Sequence, residues 1–97
     1  MNIKWSKIAL KQFIEILEYV EENQEFTYSD KLQRDVLTSI KALHKNPKIY
    51  QPDRIKNNND GTFFAFHINS YRISFRIIKE EIRILRIRHT SKRPFTR

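Results

Sequence analysis

From Phe63 to His89 the chain is patterned almost continuously for β-structure, and this stretch limits the possible fold more than any other. "YRISFRII" sets Tyr71, Ile73, Phe75 and Ile77 on one face and Arg72, Ser74 and Arg76 on the other. "TFFAFHI" precedes it and "EIRILRIRHT" follows, separated by only "NS" and "KEE", which are short enough for hairpin loops. Strands joined so tightly are antiparallel neighbours. In the last of them the alternation slips at Leu85. Either both faces are partly buried there, or a β-bulge near Ile84 and Leu85 re-aims the side chains downstream.

The remainder of the chain must cover the apolar face of that sheet. "NIKW" alternates Ile3 and Trp5 with polar residues and reads as a short first strand, and Ser6 is a helix N-cap. Leu10, Phe13, Ile14, Leu17 and Val20 then recur at helical spacing to about Asn23. Thr27 or Ser29 caps a second helix, with Leu32, Val36, Ile40 and Leu43 as its buried stripe, and "KNP" ends it. Residues 46–61 are loop-rich and hold two of the three prolines and the only glycine. The order strand, helix, helix, strand, strand, strand predicts one α+β domain over residues 1–97. An N-terminal helical hairpin packs on one face of an antiparallel sheet (β-α-α-β-β-β). Phe64, Phe66, Ile68, Ile73, Phe75 and Ile77 line the core side. His67, Arg72, Ser74, Arg76 and one set of arginines from the last strand form a wet, basic opposite face.

The net charge of +8 lies almost entirely at this end. Residues 71–97 hold 9 Lys/Arg against 2 Asp/Glu, while residues 1–70 hold 10 against 9. Such asymmetry points to an acidic partner rather than to solubility alone. Arginine's planar fork suits phosphate and carboxylate alike, so a nucleic-acid backbone and an acidic protein segment both remain open. Aromatic residues for stacking bases are few on this face, Phe63 and Phe95 being the main ones. Glu15, Glu18, Glu21, Glu22 and Glu25 read as a solvated face on or just after the first helix. The chain has no cysteine, which excludes a disulfide framework, a thiolate metal site and a cysteine nucleophile. Three scattered histidines make no metal-site spacing, so neither metal nor cofactor is expected. "MNIKWSKIALKQF" carries no signal peptide or membrane span, and a cytoplasmic location is expected. Metal-free RNA cleavage would require proton transfer and cations around the phosphorus. His89 would supply the former near neutral pH, and Arg72 with Lys92 or Arg93 the latter. The structural alternatives are a hydrogen-bonded strand-end residue for His89, a structural role for His67, a helix-end role for His44, and turn formation for Asp53 and Asp60.

"YRISFRIIKEEIRILRIRHTSKRP" resembles the RelE/ParE superfamily of bacterial type II toxin–antitoxin toxins. The resemblance lies in a Tyr-Arg opening a strand, a short acidic turn, and an Ile-x-Ile-Leu-x-Ile strand leading to His and basic residues. "IKWS", the helical hairpin and the "Asp-Arg-Ile-Lys" loop agree with it, so it spans nearly the whole chain. It implies a cognate antitoxin that wraps the protein in an oligomeric complex, and a part in plasmid stabilisation and growth inhibition. One branch of the superfamily cleaves messenger RNA in the ribosomal A site without a metal, and the ParE branch poisons DNA gyrase. Arg72 matches the phosphate-contacting arginine of the nucleases, His89 the histidine of those similar to YoeB, and Arg93 or Lys92 a C-terminal basic residue. Asp53 falls near a carboxylate in those proteins. The implied catalytic set is Arg72, His89 and Arg93. The implied surface for antitoxin or nucleic acid is Arg72, Arg76, Arg83, Arg86, Arg88, Lys92 and Arg93. Two features depart from the nucleases: "TFFAFHI" lacks their lysines before Tyr-Arg, and Phe95 cannot transfer protons as their C-terminal tyrosine does. The reading leans to ParE-like inhibition of gyrase. The alternatives are a RelE/YoeB-type endonuclease and a module that only binds antitoxin.

Overall fold

The structure is a computed structural model that describes residues 2–23, 26–45 and 50–90. In chain order the elements are β1 (Asn2–Trp5), α1 (Lys7–Asn23), α2 (Phe26–Leu43), β2 (Gln51–Pro52), β3 (Phe63–Ile68), β4 (Tyr71–Ile78) and β5 (Glu81–His89). One five-stranded sheet has the order β1-β5-β4-β3-β2, with two helices packed on it, so the α+β expectation is met. The sheet is mixed rather than wholly antiparallel, because β1 runs parallel to β5. The two hairpins reverse the chain twice, so β5 runs in the direction of β3, and β1 joins β5 in that same direction. The second hairpin turns at Lys79 and Glu80, both with positive φ (49° and 64°), as a two-residue type I′ connection requires.

The slip at Leu85 is a bulge. Phe75 pairs with Ile84 and Ser74 with Arg86, so Leu85 has no partner across the ladder. Helix α1 satisfies the polar groups around it. The Ser6 hydroxyl donates to the Leu85 carbonyl (3.0 Å) and accepts the Ala9 amide (2.9 Å), and the Ile87 amide donates to Gln12 Oε1 (2.9 Å). Ser6 is thus at once the N-cap and a clasp on the bulge.

These two polar anchors fix the rotation of α1 and change its predicted stripe. Ala9, Phe13 and Val20 are buried, while Leu10 and Ile14 remain about half exposed (48% and 49%). The stripe of α2 is as predicted, with Leu32, Val36, Ile40 and Leu43 all buried. They meet Ile73, Phe75, Ile82, Ile84 and Ile87 of the sheet in one core. Aromatic pairs close its ends: Trp5 stacks on Phe13 (5.3 Å), and Tyr50 lies against Phe66 (4.8 Å). No helix among the described residues is long and apolar enough to cross a membrane.

Candidate functional site

Side chains opposite one another across a ladder share a face, so the register assigns the arginines. On the face away from the helices, three cross-strand rows form: Phe63–Arg76–Arg83, Ala65–Ser74–Arg86 and His67–Arg72–Arg88. Arg83 and Arg86 are three residues apart, an odd spacing that would put them on opposite faces of a regular strand. The bulge at Leu85 restores the parity and brings Arg83, Arg86 and Arg88 to one side.

This face is less open than the alternation implies. Residues 53–62 fold over its β4 portion, and Arg72 and Ser74 are buried beneath them (9% and 1% exposed). The Arg72 guanidinium donates to Asp53 Oδ1 at 2.5 Å, and the same oxygen accepts the amides of Ile55 (2.9 Å) and Lys56 (3.3 Å). Asn59 fastens the loop, its amide nitrogen donating to the carbonyls of Asp53 and Phe63. Arg76 is engaged as well: its Nε donates to the Thr62 hydroxyl (2.9 Å), its Nη2 lies 3.3 Å from Asp60 Oδ2, and it covers the Phe63 ring at 4.4 Å. Lys56 lies over the same ring at 4.8 Å. The Phe63 ring, a stacking surface in the sequence reading, is therefore taken by two cations. On β5, Arg83 pairs with Glu81 of its own strand and keeps a half-exposed side chain.

Beside the buried pair opens a cleft of about 650 Å³, whose lining includes Tyr50, Arg54, His67, Arg72, Arg88 and Thr90. Burial holds the Arg88 guanidinium below its usual pKa. Repulsion from Arg72 adds to this, Asp53 opposes it, and Arg86 contributes further lowering. Crowded guanidinium groups of this kind favour an anionic occupant.

The sequence-predicted residues are only partly brought together. Arg72, Arg76, Arg83, Arg86 and Arg88 share a face. His89 does not: it pairs with Tyr71 on the helix side, its ring edge-on to that tyrosine at 5.3 Å. Burial raises the pKa of the Tyr71 phenol, and the nearby Tyr28 and Tyr19 raise it further. The sheet thus lies between His89 and Arg72. The exposed imidazole that shares a cleft with Arg72 is His67, which the alternation had placed on the face of Arg72 but which was read as structural. Asp53 and Asp60 do form turns, and each also holds an arginine. Lys92, Arg93 and Phe95 lie outside the described residues.

Comparisons with known proteins agree with this architecture. The family model described as "ParE toxin of type II toxin-antitoxin system, parDE" matches residues 3–94. A solved structure titled "Chromosomal ParDE TA system from P. aeruginosa" superposes with a TM-score of 0.75 at 18% identity, covering 94% of this chain and 97% of that one. At that identity the likeness speaks for the fold. No curated protein matches.

Proposed function

The chain belongs to the ParE family of type II toxin–antitoxin toxins, and we propose that its 97 residues form one toxin domain that inhibits DNA gyrase and is neutralised by a cognate antitoxin. The observation that carries this reading over RNA cleavage is the commitment of Arg72. A phosphate-stabilising arginine must reach the charge that develops in the transition state. Here the guanidinium is buried and donates to Asp53, and His89, the proposed proton carrier, lies on the other side of the sheet. The arginines of β5, with the cleft at Arg88, are the surface offered to an acidic antitoxin segment. That segment gains both electrostatic steering and burial as it folds on the basic face.

Two assays on the purified toxin decide the matter. Supercoiling by isolated gyrase is inhibited, with accumulation of cleaved DNA, and primer extension in a reconstituted translation reaction shows no cuts. Cuts at ribosomal A-site positions that disappear in His89→Ala would overturn the reading in favour of the nuclease. Antitoxin affinity falls as salt rises; an affinity indifferent to salt would contradict the electrostatic part of the proposal.

A further inference from the structure

The outward face of α1 combines features that a solvated helix does not need. Leu10 and Ile14, one turn apart, stand about half exposed in a shallow groove bordered by Lys7, Lys11, Glu15 and Glu18. Ile8 and Tyr19, farther round the same helix, are exposed to 50% and 64%. The charges on this face are segregated: lysines occupy the N-terminal half and glutamates the C-terminal half. The first turn has no acidic residue and the last turn no basic one. That order opposes the helix macrodipole, which favours anions at the N-terminus and cations at the C-terminus. Among the described residues these lysines make one ion pair, Lys11 with Glu15, at 4.0 Å and largely exposed. The arrangement therefore adds little to the stability of α1 itself.

It does make the face complementary to itself. A second copy laid antiparallel, with the two-fold between Ile14 and Glu15, brings Lys11 of each helix to Glu18 of the other, and Lys7 to Glu22. The same two-fold operation brings Ile14 of the two copies together near the axis, with Leu10 on one edge of the contact. An isologous contact counts each pairing twice, and antiparallel helices also place opposite dipole ends together. We propose that α1 is a homodimerisation surface of the free toxin, with a second copy of this chain as its occupant. A helix of 17 residues is about 25 Å long. Such a pair falls at the small end of specific interfaces, below about 1,200 Å² in total. The dimer is therefore reversible and dependent on concentration.

Sedimentation equilibrium over a concentration series tests this. The weight-average mass of the full chain rises from 11.8 kDa toward twice that value. Lys11→Glu alone and Glu18→Lys alone each weaken the dimer about tenfold, because each puts like charges at two symmetry-related contacts. Mixing the two variants restores association, since every contact at these positions then pairs a lysine with a glutamate. A general loss of folding could not produce that recovery, and circular dichroism of each variant checks the fold directly. A wild-type chain that stays monomeric throughout would overturn the proposal. So would a dimer insensitive to both substitutions, or a mixture no better than its components. If α1 amides become protected from exchange only when antitoxin is added, and not as the toxin is concentrated, the face belongs to that partner and the proposal fails.

Discussion

The arginines of β4 and Arg83 of β5 look alike in the sequence and occupy the same face of the sheet, yet they behave differently. Arg72 and Arg76 on β4 each meet a carboxylate from the loop that follows β2, Asp53 and Asp60 respectively. Among the described residues, Arg83 on β5 pairs with Glu81, two residues away on its own strand, and keeps a side chain 52% exposed. The difference teaches that alternation locates an arginine on a face without saying whether that face is solvent. A loop elsewhere in the chain decides that. Where it supplies a carboxylate, the arginine becomes part of the architecture; where none arrives, its cationic character stays at the surface.

The comparison presupposes that the two faces are assigned correctly, and the largest expected effect tests that first. Ile73 is fully buried on the helix side, so Ile73→Asp places a charge in the core and abolishes the cooperative thermal melt. A melt unchanged by that substitution would dissolve the contrast altogether. Arg72→Ala comes next. It removes the guanidinium of a buried ion pair, which costs about 3–5 kcal/mol in urea denaturation. The pair Arg72→Met with Asp53→Asn recovers much of that loss, because both charges go together while a side-chain oxygen is kept for the Ile55 and Lys56 amides. If the recovered double variant still arrests growth, Arg72 acts through architecture; if it folds well and is inert, Arg72 touches the target.

The pattern of periodicity made the fold legible. Period two in 63–89 and helical spacing in 10–43 placed β3, β4, β5 and both helices but not the two-residue β2, read as loop; the slip at Leu85 was visible, with a bulge as one of its two readings. Two further things were not visible. The direction of β1 depends on where it docks, and β1 is too short to announce a partner. The rotation of α1 was misread because its apolar residues extend around more than one side. Ser6 and Gln12, bonding at the bulge, choose Ala9 and Phe13 for burial over Leu10 and Ile14. The site was less legible than the fold. Asp53 and Arg72 are nineteen residues apart, and only the folding of the loop over β4 makes them a pair. His89 looked like a companion of Arg72, although register places them on opposite faces.

A smaller effect sharpens the contrast within β4. Arg76 is held by Thr62 and by an exposed aspartate, so Arg76→Ala costs no more than about 1 kcal/mol, well short of Arg72→Ala. Equal losses at the two positions would mean that depth of burial does not separate them. Arg83→Ala, on the open end of the face, stays within about 0.5 kcal/mol of the wild type. Its effect belongs in partner binding, measured as a reduced salt dependence of antitoxin affinity.

The smallest expected effect is a pH dependence carried by Asp60. Hydrogen bonds from the Thr62 hydroxyl and then the Thr62 amide hold its carboxyl below the ordinary value of 3.8; burial opposes them slightly, and Arg76 adds a further lowering. A group whose pKa is depressed on folding binds its proton less readily in the native state than in the unfolded chain. Its contribution to stability is therefore complete above the unfolded value and is lost as the pH falls through the folded one. Urea melts between about pH 2 and pH 6 should show Asp60→Asn to be less acid-sensitive than the wild type, with the two curves differing by a constant amount at the upper end. Glu81 and Asp35 are also depressed by their partners, and their contribution is lost on acidification equally in both proteins, so the difference between the curves isolates Asp60. A difference that did not vary with pH would mean that Thr62 and Arg76 hold the loop without its charge. The loop would then be fixed by Asp53 and Asn59 alone, and the contrast between the two strands would rest on the single buried pair at Arg72.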